Sequence, residues 1–229
     1  MPIGVKLDVI ENSSNFRRKI LQEFANVFNK TTNAILPTIT EAAQFKITEI
    51  MESSSLYNDI IFTSLRGHMG IPVGEEKQRI DEIVDTIIRS VHAKSNPLKL
   101  IGNDYSEGSI QIVGIDNPLT FDRILSLPAS IIVDEHGRET FPWMEKILKL
   151  GNTVIEDYRI SFGNFSHPKA KSRSKIALMF KKQGTFWKVP SRYAGSYNEN
   201  WITRTIKNNK DSFTLFMERT MQKAFERSV

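Results

Sequence analysis

The chain has 229 residues, enough for one large domain or two small ones. Hydrophobic residues make up 40% and charged residues 25%, as in an ordinary globular protein. The absence of cysteine excludes a disulfide framework and a thiolate metal site. No apolar run is long enough to span a membrane, and the first residues lack the apolar stretch of a signal peptide. We therefore expect a soluble protein that is made in the cytosol and has no membrane partner.

The net charge of +5 is unevenly distributed along the chain. Residues 1–115 carry 12 Lys or Arg and 14 Asp or Glu, whereas residues 116–229 carry 19 and 12. The last 69 residues alone hold 14 bases and 4 acids. This asymmetry predicts a basic surface that faces nucleic acid or an acidic partner, with a solvated basic end as the alternative.

The first part of the chain has the periodicity of helices. Apolar residues recur at helical spacing over 16–51, after a cluster of capping residues at 12–15. Pro37 falls inside this pattern, where it ends the helix, kinks it or removes one hydrogen bond. We expect one long N-terminal helix, with a kink at Pro37 as one form of it.

Three shorter elements follow the long helix. Ser54 and its serine neighbours favour a cap for a short helix over 56–65. Glycine and proline make 65–76 a turn-rich loop. The spacing of Ile and Val over 77–93 then predicts an amphipathic helix.

Strands are predicted in the middle of the chain, and helix returns at the end. Alternating or short apolar runs indicate strands over 109–115, 130–133, 152–161, 176–180 and 186–189. Gln183 and Gly184 predict a hairpin turn between the last two strands. Gly151 is predicted to cap a helix, and 134–137 to form a turn. Short helices are predicted over 119–127 and 141–150, and a final helix over 198–229 with a break at Asn208–Asn209.

The order of these elements predicts the fold class. It is α+β, with an antiparallel β-sheet flanked by a long N-terminal helix and a C-terminal helix. We expect a single domain over 1–229. Its helical part spans about 16–93, its sheet with short helices about 97–190, and its C-terminal helix about 198–228.

Residues that could perform catalysis or hold a metal do not form a recognisable motif. The four histidines lie far apart in the sequence, and no HxxxH, HExxH, GxSxG or phosphate-loop pattern occurs. Asp134, Glu135 and His136 are adjacent on a turn, where their side chains diverge. We expect no enzyme activity, no catalytic or metal site and no cofactor.

The sharpest charge cluster is the loop HPKAKSRSK at 167–175, within a polar stretch over 163–174. Its bases alternate with small residues, so an extended loop would place them on one side. Two further bases, Arg192 and Arg204, lie near the C-terminal helix. The candidate interface or assembly arm consists of Lys169, Lys171, Arg173, Lys175, Arg192 and Arg204. A solvated loop is the alternative, and the direction of the loop stays open.

The aromatic residues near the C-terminus raise a second hypothesis, nucleic-acid binding. In it, aromatic rings stack on bases while basic residues hold phosphates. The stacking candidates are Trp187, Tyr193, Tyr197 and Trp201, and the phosphate-binding candidates are Lys188, Arg192 and Arg204. Against it, Trp187 and Trp201 stand where a strand and a helix need core residues, and no named nucleic-acid-binding motif is visible.

Three stretches together resemble a known family. They are LRGHMGIP at 65–72, ETFPWMEKILKLGNTVIEDYRI at 139–160 and WKVPSRYAGSYNENWITRTI at 187–206. They are similar to a family of tailed-bacteriophage virion proteins encoded among the head–tail joining genes. The sequence departs from the family pattern at Ser191 and Arg192, where proline and an acid are usual, and at Trp201, where phenylalanine is usual.

The resemblance implies a structural virion protein, and nothing in composition or spacing shows this. Such neck, tail-completion and tail-terminator proteins form rings, commonly hexameric, between the head connector and the tail tube. The implied partners are further copies of the chain and neighbouring connector, neck or tail-tube proteins. Non-specific contact with packaged DNA stays open. The implied location is the head–tail junction of the virion, after synthesis in the host cytoplasm.

Overall fold

A computed structural model describes residues 2–8, 14–63, 65–102, 105–114, 118–133, 139–151, 155–162, 177–187, 189–190 and 192–228. The helices are α1 (Ser14–Glu52), α2 (Ser55–Phe62), α3 (Leu65–His68), α4 (Glu76–Ser90), α5 (Pro118–Ser126), α6 (Trp143–Leu148), α7 (Trp201–Asn208) and α8 (Lys210–Glu226). The strands are β1 (Pro2–Asp8), β2 (His92–Ile101), β3 (Tyr105–Val113), β4 (Ile132–Val133), β5 (Glu139–Phe141), β6 (Ile155–Phe162) and β7 (Ala177–Trp187). A 3₁₀ turn at Pro128–Ser130 precedes β4.

These elements confirm the α+β class, with a long N-terminal helix, antiparallel strand pairs and a C-terminal helix. Helix α1 runs without interruption through Pro37, so the proline removes one backbone donor without ending the helix. The break predicted near Asn209 is present between α7 and α8.

The chain divides into two compact units, each built from separate stretches of sequence. The first unit comprises Met1–Ile47, Arg89–Gly114 and Lys210–Val229. The second comprises Thr48–Ile88 and Ile115–Asn209. The expectation of a single domain stays a prediction.

A three-stranded antiparallel sheet forms one part of the first unit. Its strand order is β1-β3-β2, and Ile110 at its centre pairs with Ile3 on one side and Ser95 on the other. The β2–β3 register shifts between Asn96 and Lys99. Pro97 lies in this irregularity, where a missing N–H interrupts no regular ladder.

Side chains of α1 bond directly to the backbone of β2 and its flank. Asn29 donates through Nδ2 to the Leu98 carbonyl at 3.1 Å and accepts from the Leu98 N–H through Oδ1 at 2.7 Å. Thr40 accepts from the Ala93 N–H through Oγ1 at 3.0 Å. These bonds occupy backbone groups of an edge strand, which would otherwise be open to another chain.

Apolar packing completes the first unit. The buried residues of α1 recur along one side of the helix, because residues three and four apart lie on the same face. On α8, Phe225 stacks on Phe28 of α1 with a centroid distance of 5.1 Å. The buried side chains of this unit are Leu21, Ala25, Ile35, Ile39, Ala43, Ile47, Val91, Leu98, Ile110, Phe213, Met217, Met221 and Ala224.

The second unit contains shorter helices and two separate two-stranded sheets, β4–β5 and β6–β7. Its N-terminal helix α2 is capped as the serine cluster predicted, because Ser54 Oγ accepts from the Tyr57 N–H at 3.4 Å. Its core includes Leu56, Ile60, Met69, Ile71, Ile80, Ile83, Val84, Ile87, Phe121, Ile124, Trp143, Met144, Ile147, Leu148 and Ile202.

Several predicted elements are corrected by the structure. The helix expected over 77–93 ends at Ser90, and His92 already begins β2. The loop expected over 65–76 contains the single helical turn α3. Strand β1 has no counterpart among the predicted elements.

The hairpin turn predicted at Gln183 and Gly184 is also wrong. Both residues lie inside the continuous strand β7, which pairs with β6 alone among the described strands. The register jumps from Glu156↔Phe186 to Tyr158↔Lys181, so four residues of β7 lie opposite one of β6. Glycine suits an irregularity of this kind as well as a turn.

The Asn29 pair with Leu98 generates a stability prediction. Replacing Asn29 by alanine leaves two half-buried backbone groups of Leu98 without their partners, which should lower the free energy of unfolding by about 2 kcal/mol. Urea unfolding followed by circular dichroism measures the change.

The matched control is Asn26→Ala, one turn earlier on α1 at an exposed position. It should change the free energy of unfolding by less than about 0.5 kcal/mol. Equal losses in the two variants would show that helix propensity, and not the bond to Leu98, sets the effect.

Candidate functional site

The third stretch of the resemblance folds into an irregular bend that we call the joining segment (residues 189–200; residue 191 lies outside the described residues). Near its start, the Pro190 carbonyl accepts from the N–H groups of Tyr193 at 2.8 Å and Ala194 at 3.0 Å. Pro190 is therefore a turn residue. Val189 and Tyr193 are each 1% exposed, so the bend lies in the core of the second unit.

Tyr193 connects the joining segment to α2. Its hydroxyl donates to the carboxylate of Asp59, and the Arg192 guanidinium lies 3.4 Å from the same carboxylate oxygen. Arg192 also lies over the Tyr193 ring, 4.6 Å from its centroid. A buried phenol needs such a partner because an unpaired hydroxyl costs free energy.

Two glycines let the joining segment approach the end of α6. A Cβ on Gly151 would lie 2.3 Å from the Gly195 nitrogen, and a Cβ on Gly195 would lie 2.4 Å from the Ile147 carbonyl oxygen. The Gly151 N–H donates to the Gly195 carbonyl at 3.1 Å. Gly151, which was predicted to be a helix cap, therefore serves close backbone approach; the cap position of α6 is Lys149.

Asn200 ends the joining segment and starts α7. It is 0% exposed, and its Oδ1 accepts from the N–H groups of Ile202 at 3.0 Å and Thr203 at 3.2 Å. Its Nδ2 donates to the carbonyls of Ser196 at 3.2 Å and Tyr197 at 3.3 Å. Thr203 completes a capping box by accepting from the Asn200 N–H at 2.9 Å. Asn200 is therefore the N-cap residue of α7.

Two further bonds hold α7 in place. Trp201, the first residue of α7, is 4% exposed and donates through Nε1 to Ser54 Oγ at 2.9 Å. Ser54, the N-cap of α2, therefore also bonds to α7. Arg204 donates through Nη2 to the Ala194 carbonyl at 2.9 Å. The joining segment is thus tied to α2, α6 and α7 within one unit.

The second stretch of the resemblance bonds to the 3₁₀ turn at Pro128–Ser130, and a cation that the sequence did not reveal holds the same turn. Trp143 is fully buried and donates through Nε1 to the Ala129 carbonyl at 2.8 Å. From α4, Arg79 donates through Nη1 to the carbonyls of Pro128 at 3.0 Å and Ile131 at 3.1 Å. Every residue has a backbone carbonyl, so no residue type in the sequence indicates that Arg79 bonds to these ones.

The candidate arm residues are distributed as follows. Lys169, Lys171, Arg173 and Lys175 lie outside the described residues. Arg192 and Arg204 are described, and both direct hydrogen-bonding groups inward: Arg192 to Asp59, and Arg204 to the joining segment. The Arg192 side chain remains 69% exposed. Their role in an interface stays a prediction.

The rings proposed to stack on nucleic-acid bases are largely engaged within the fold. Tyr193 and Trp201 are buried. Tyr197 packs edge-on against Phe121 with a centroid distance of 5.5 Å, and the Lys149 ammonium lies over the Tyr197 ring, 5.5 Å from its centroid. These three rings therefore act in core and surface packing.

A small polar cluster on α2 and α4 has altered proton affinity. Tyr57 donates to Asp81 Oδ1 at 2.7 Å, and Lys77 lies 2.6 Å from Asp81 Oδ2. Burial and the neighbouring Asp81 carboxylate raise the pKa of Tyr57 above its usual value of 10.0. The hydrogen bond to the same carboxylate raises the pKa of Lys77 above 10.5. Both shifts stabilise the protonated side chains in the folded protein.

Within the part of the chain that the structure describes, no group of three or more His, Cys, Asp or Glu side chains is arranged to hold a metal ion. No described helix is both long and apolar enough to cross a membrane. No family model, curated protein or solved structure matches the chain.

Loss of the Asn200 cap should destabilise the fold. Asn200→Ala removes the acceptor for two N–H groups and the donor to two carbonyls, so we expect the free energy of unfolding to fall by about 2 kcal/mol. Chemical denaturation measures it. Asn198→Ala, at an exposed position two residues away, serves as control and should stay within about 0.5 kcal/mol of the wild type. A larger loss in the control would contradict the assignment of the cap.

The Tyr57 cluster predicts a stability loss at high pH. Because the folded-state pKa values of Tyr57 and Lys77 are raised, their contribution is complete below pH 10.0 and is lost as pH rises through the folded-state values. Tyr57→Phe removes the contribution of the Tyr57 hydroxyl. The free energy of unfolding should therefore fall less steeply with pH in the variant than in the wild type. Urea midpoints measured from about pH 9 to about pH 11 provide the comparison.

The control for this experiment is Tyr197→Phe, since the Tyr197 hydroxyl bonds no carboxylate among the described residues. It should keep the wild-type pH profile. Identical profiles for wild type and Tyr57→Phe would contradict the role of the cluster.

Proposed function

We propose that this protein is a structural virion protein of the phage neck or tail junction, which forms a symmetric ring between the head connector and the tail. It performs no chemical step in this proposal. It acts by geometry, holding surfaces at fixed angles so that identical copies close a ring and present one rim to the next ring.

One observation carries the proposal: the three stretches that resemble the phage family all fall in the second compact unit. They are separated by up to about 115 residues of sequence, yet each supplies core residues to that unit. The first supplies Met69 and Ile71, the second Trp143 and Ile147, and the third Val189, Tyr193 and Asn200. The motif residues are thus packing residues of one compact unit, which suits a structural role.

The chemistry of these residues fits a geometric role. Their polar atoms bond to other parts of the same unit, as Tyr193 does to Asp59 and Trp143 to Ala129. Side chains used in this way fix the directions of α2, α6 and α7. Each copy in a ring needs such fixed directions, because an angular error would add up around the ring.

The alternative is a nucleic-acid-binding protein that uses the basic C-terminal half. Its bases remain available on the surface, since Lys207, Lys210 and Lys223 are exposed. Its proposed stacking platform is reduced, because Tyr193 and Trp201 are buried. Affinity in this alternative would depend on phosphate contacts and would fall steeply with salt.

The proposal predicts a closed oligomer of defined size. Size-exclusion chromatography with light scattering should give a single mass that is an integer multiple of 26.2 kDa, sixfold for a hexamer, and that does not grow with concentration. Antibody labelling of purified phage particles should mark the head–tail junction. A monomer of 26.2 kDa that is absent from particles would contradict the proposal.

A DNA titration separates the alternative from the proposal. Tight binding at low salt that weakens about a hundredfold or more at moderate salt, shown by a monomer, would favour the nucleic-acid hypothesis. A ring without such binding would favour the structural role.

A further inference from the structure

The outer face of α1 carries four large apolar side chains, which we call the apolar stripe. Their exposed fractions are 55% for Phe16, 37% for Ile20, 43% for Phe24 and 63% for Val27. Steps of four, four and three residues place them on one side of the helix. Single exposed apolar residues are common, but a continuous row of this size marks an interaction surface.

Other sides of α1 are covered within the first unit. Asn29 and Thr40 bond to the backbone of β2, and Phe28 stacks on Phe225 of α8. The apolar stripe is thus a side of this helix that the described residues leave open.

The spacing of the apolar stripe suits contact with another helix. From Ile20 onward, the outward positions alternate in steps of four and three residues, through Phe24 and Val27 to Thr31 and Ala34. This alternation averages 3.5 residues, which is the repeat that keeps one seam of a helix against a partner helix along its length. The two positions after Val27 hold small side chains, so a partner helix can approach closely there.

The charges beside the apolar stripe match those of an identical helix that runs in the opposite direction. Glu23 and Lys30 are exposed and lie seven residues apart, which is two helical turns, so both project along the same border of the stripe. Within the described part of the chain, neither forms an ion pair. Lys19 also lies on this side, but further from the stripe than Glu23, and Arg17 already interacts within the fold.

We propose that the apolar stripe pairs with the apolar stripe of a second copy of this chain, with the two α1 helices antiparallel. Phe24 of one copy lies opposite Val27 of the other, and Ile20 lies opposite Thr31. Each contact occurs twice, because a two-fold axis between the helices relates the two copies. The pairing removes the apolar side chains of both stripes from water, which drives the association.

The same register brings the borders of the two stripes together. Glu23 of each copy comes within about 3 Å of Lys30 of the other copy along the helix axis, so two ion pairs form by symmetry. Phe16 has the same offset from Pro37 of the other copy, and Pro37 is exposed. Both charges and the end of the stripe therefore find partners in one register.

An antiparallel pair explains these charges better than a parallel pair. In a parallel pair, the border residues of one helix meet residues on the opposite border of the other helix. Glu23 would then lie beside Phe28, and Lys30 beside Ile35, which is buried. Neither charge would find an opposite charge.

The contact goes beyond the proposed ring and does not depend on it. An isologous contact closes on itself with two copies, whereas a ring of more than two copies needs a different surface. The pairing of apolar stripes joins two single copies, or two rings, through the same residues.

Because the chain has no cysteine, a single introduced cysteine can cross-link only to another copy. In Val27→Cys, the two thiols lie about 4.5 Å apart along the helix axis, so a short bis-maleimide linker should join full-length chains efficiently. Ala34→Cys and Phe45→Cys lie further along the same side of α1. Their separations in the pair are about 25 Å and about 58 Å, so no link should form.

Charge reversal in the Val27→Cys background tests the ion pairs. Glu23→Lys and Lys30→Glu each place like charges together twice, so half-maximal cross-linking should need about tenfold more protein. The double variant Glu23→Lys/Lys30→Glu should regain the profile of its parent. An equimolar mixture of the two single variants should regain it too, because each supplies the charges that the other lacks.

A further variant in the same background tests the apolar contact. Phe24→Ser should raise the protein concentration for half-maximal cross-linking by about tenfold or more, with little dependence on salt. The matched control is Phe45→Ser, on the same helix and exposed by 60%, which lies outside the overlap and should behave as its parent. Circular dichroism should show unchanged helical content in every variant.

The outcomes separate this contact from the proposed function. Absence of a cross-link in Val27→Cys would overturn the pairing and leave the ring untouched, whereas a cross-linked protein that never exceeds a dimer would overturn the ring alone. Equal linking at residues 27, 34 and 45 would show a parallel pair and overturn this one. Binding to anionic lipid vesicles that is lost in Phe24→Ser, without any cross-link, would assign the stripe to a membrane surface and also overturn the pairing.

Discussion

An irregular bend in a protein core is stable only if all its polar groups find partners there, and the joining segment meets this constraint with a few side chains. The wholly buried amide of Asn200 satisfies two donors and two acceptors at once. Tyr193 bonds from the bend to Asp59 of α2, and Arg204 of α7 donates to the Ala194 carbonyl within the bend. The orientations of α2, α6 and α7 in the second unit all depend on this set of bonds, because each helix contacts the bend directly.

Much of the fold was predictable because burial imposes a period on the sequence. The buried residues from Leu21 to Ile47 recur at helical spacing and so predicted the length of α1. Pro37 does not end the helix, because the loss of one hydrogen bond costs less free energy than the packing of those residues contributes. The strand errors have a different origin. Val91 continues the run of β-branched residues of α4, and no glycine or proline separates it from β2, so the sequence does not mark the change from helix to strand. The turn prediction at Gly184 was wrong because bulges and turns both favour glycine, for the same backbone freedom.

The sites were only partly predictable. Asn200, Gly195 and Trp201 carry recognisable local signals, since caps, tight approaches and buried aromatics have typical residue types. Their partners carry none. Asp59 lies 134 residues from Tyr193, Ser54 lies 147 residues from Trp201, and Arg79 bonds to backbone carbonyls about 50 residues away. Such pairs follow from the tertiary fold, which brings together residues that no sequence pattern relates.

The cover that α1 places over β2 has a consequence for synthesis on the ribosome. Translation produces Asn29 and Thr40 well before their partners Leu98 and Ala93. The helix that occupies this edge is therefore already made when the strand emerges. An uncovered edge strand can pair with neighbouring nascent chains. Because α1 precedes β2 in the chain, the strand is exposed to such pairing for a shorter time.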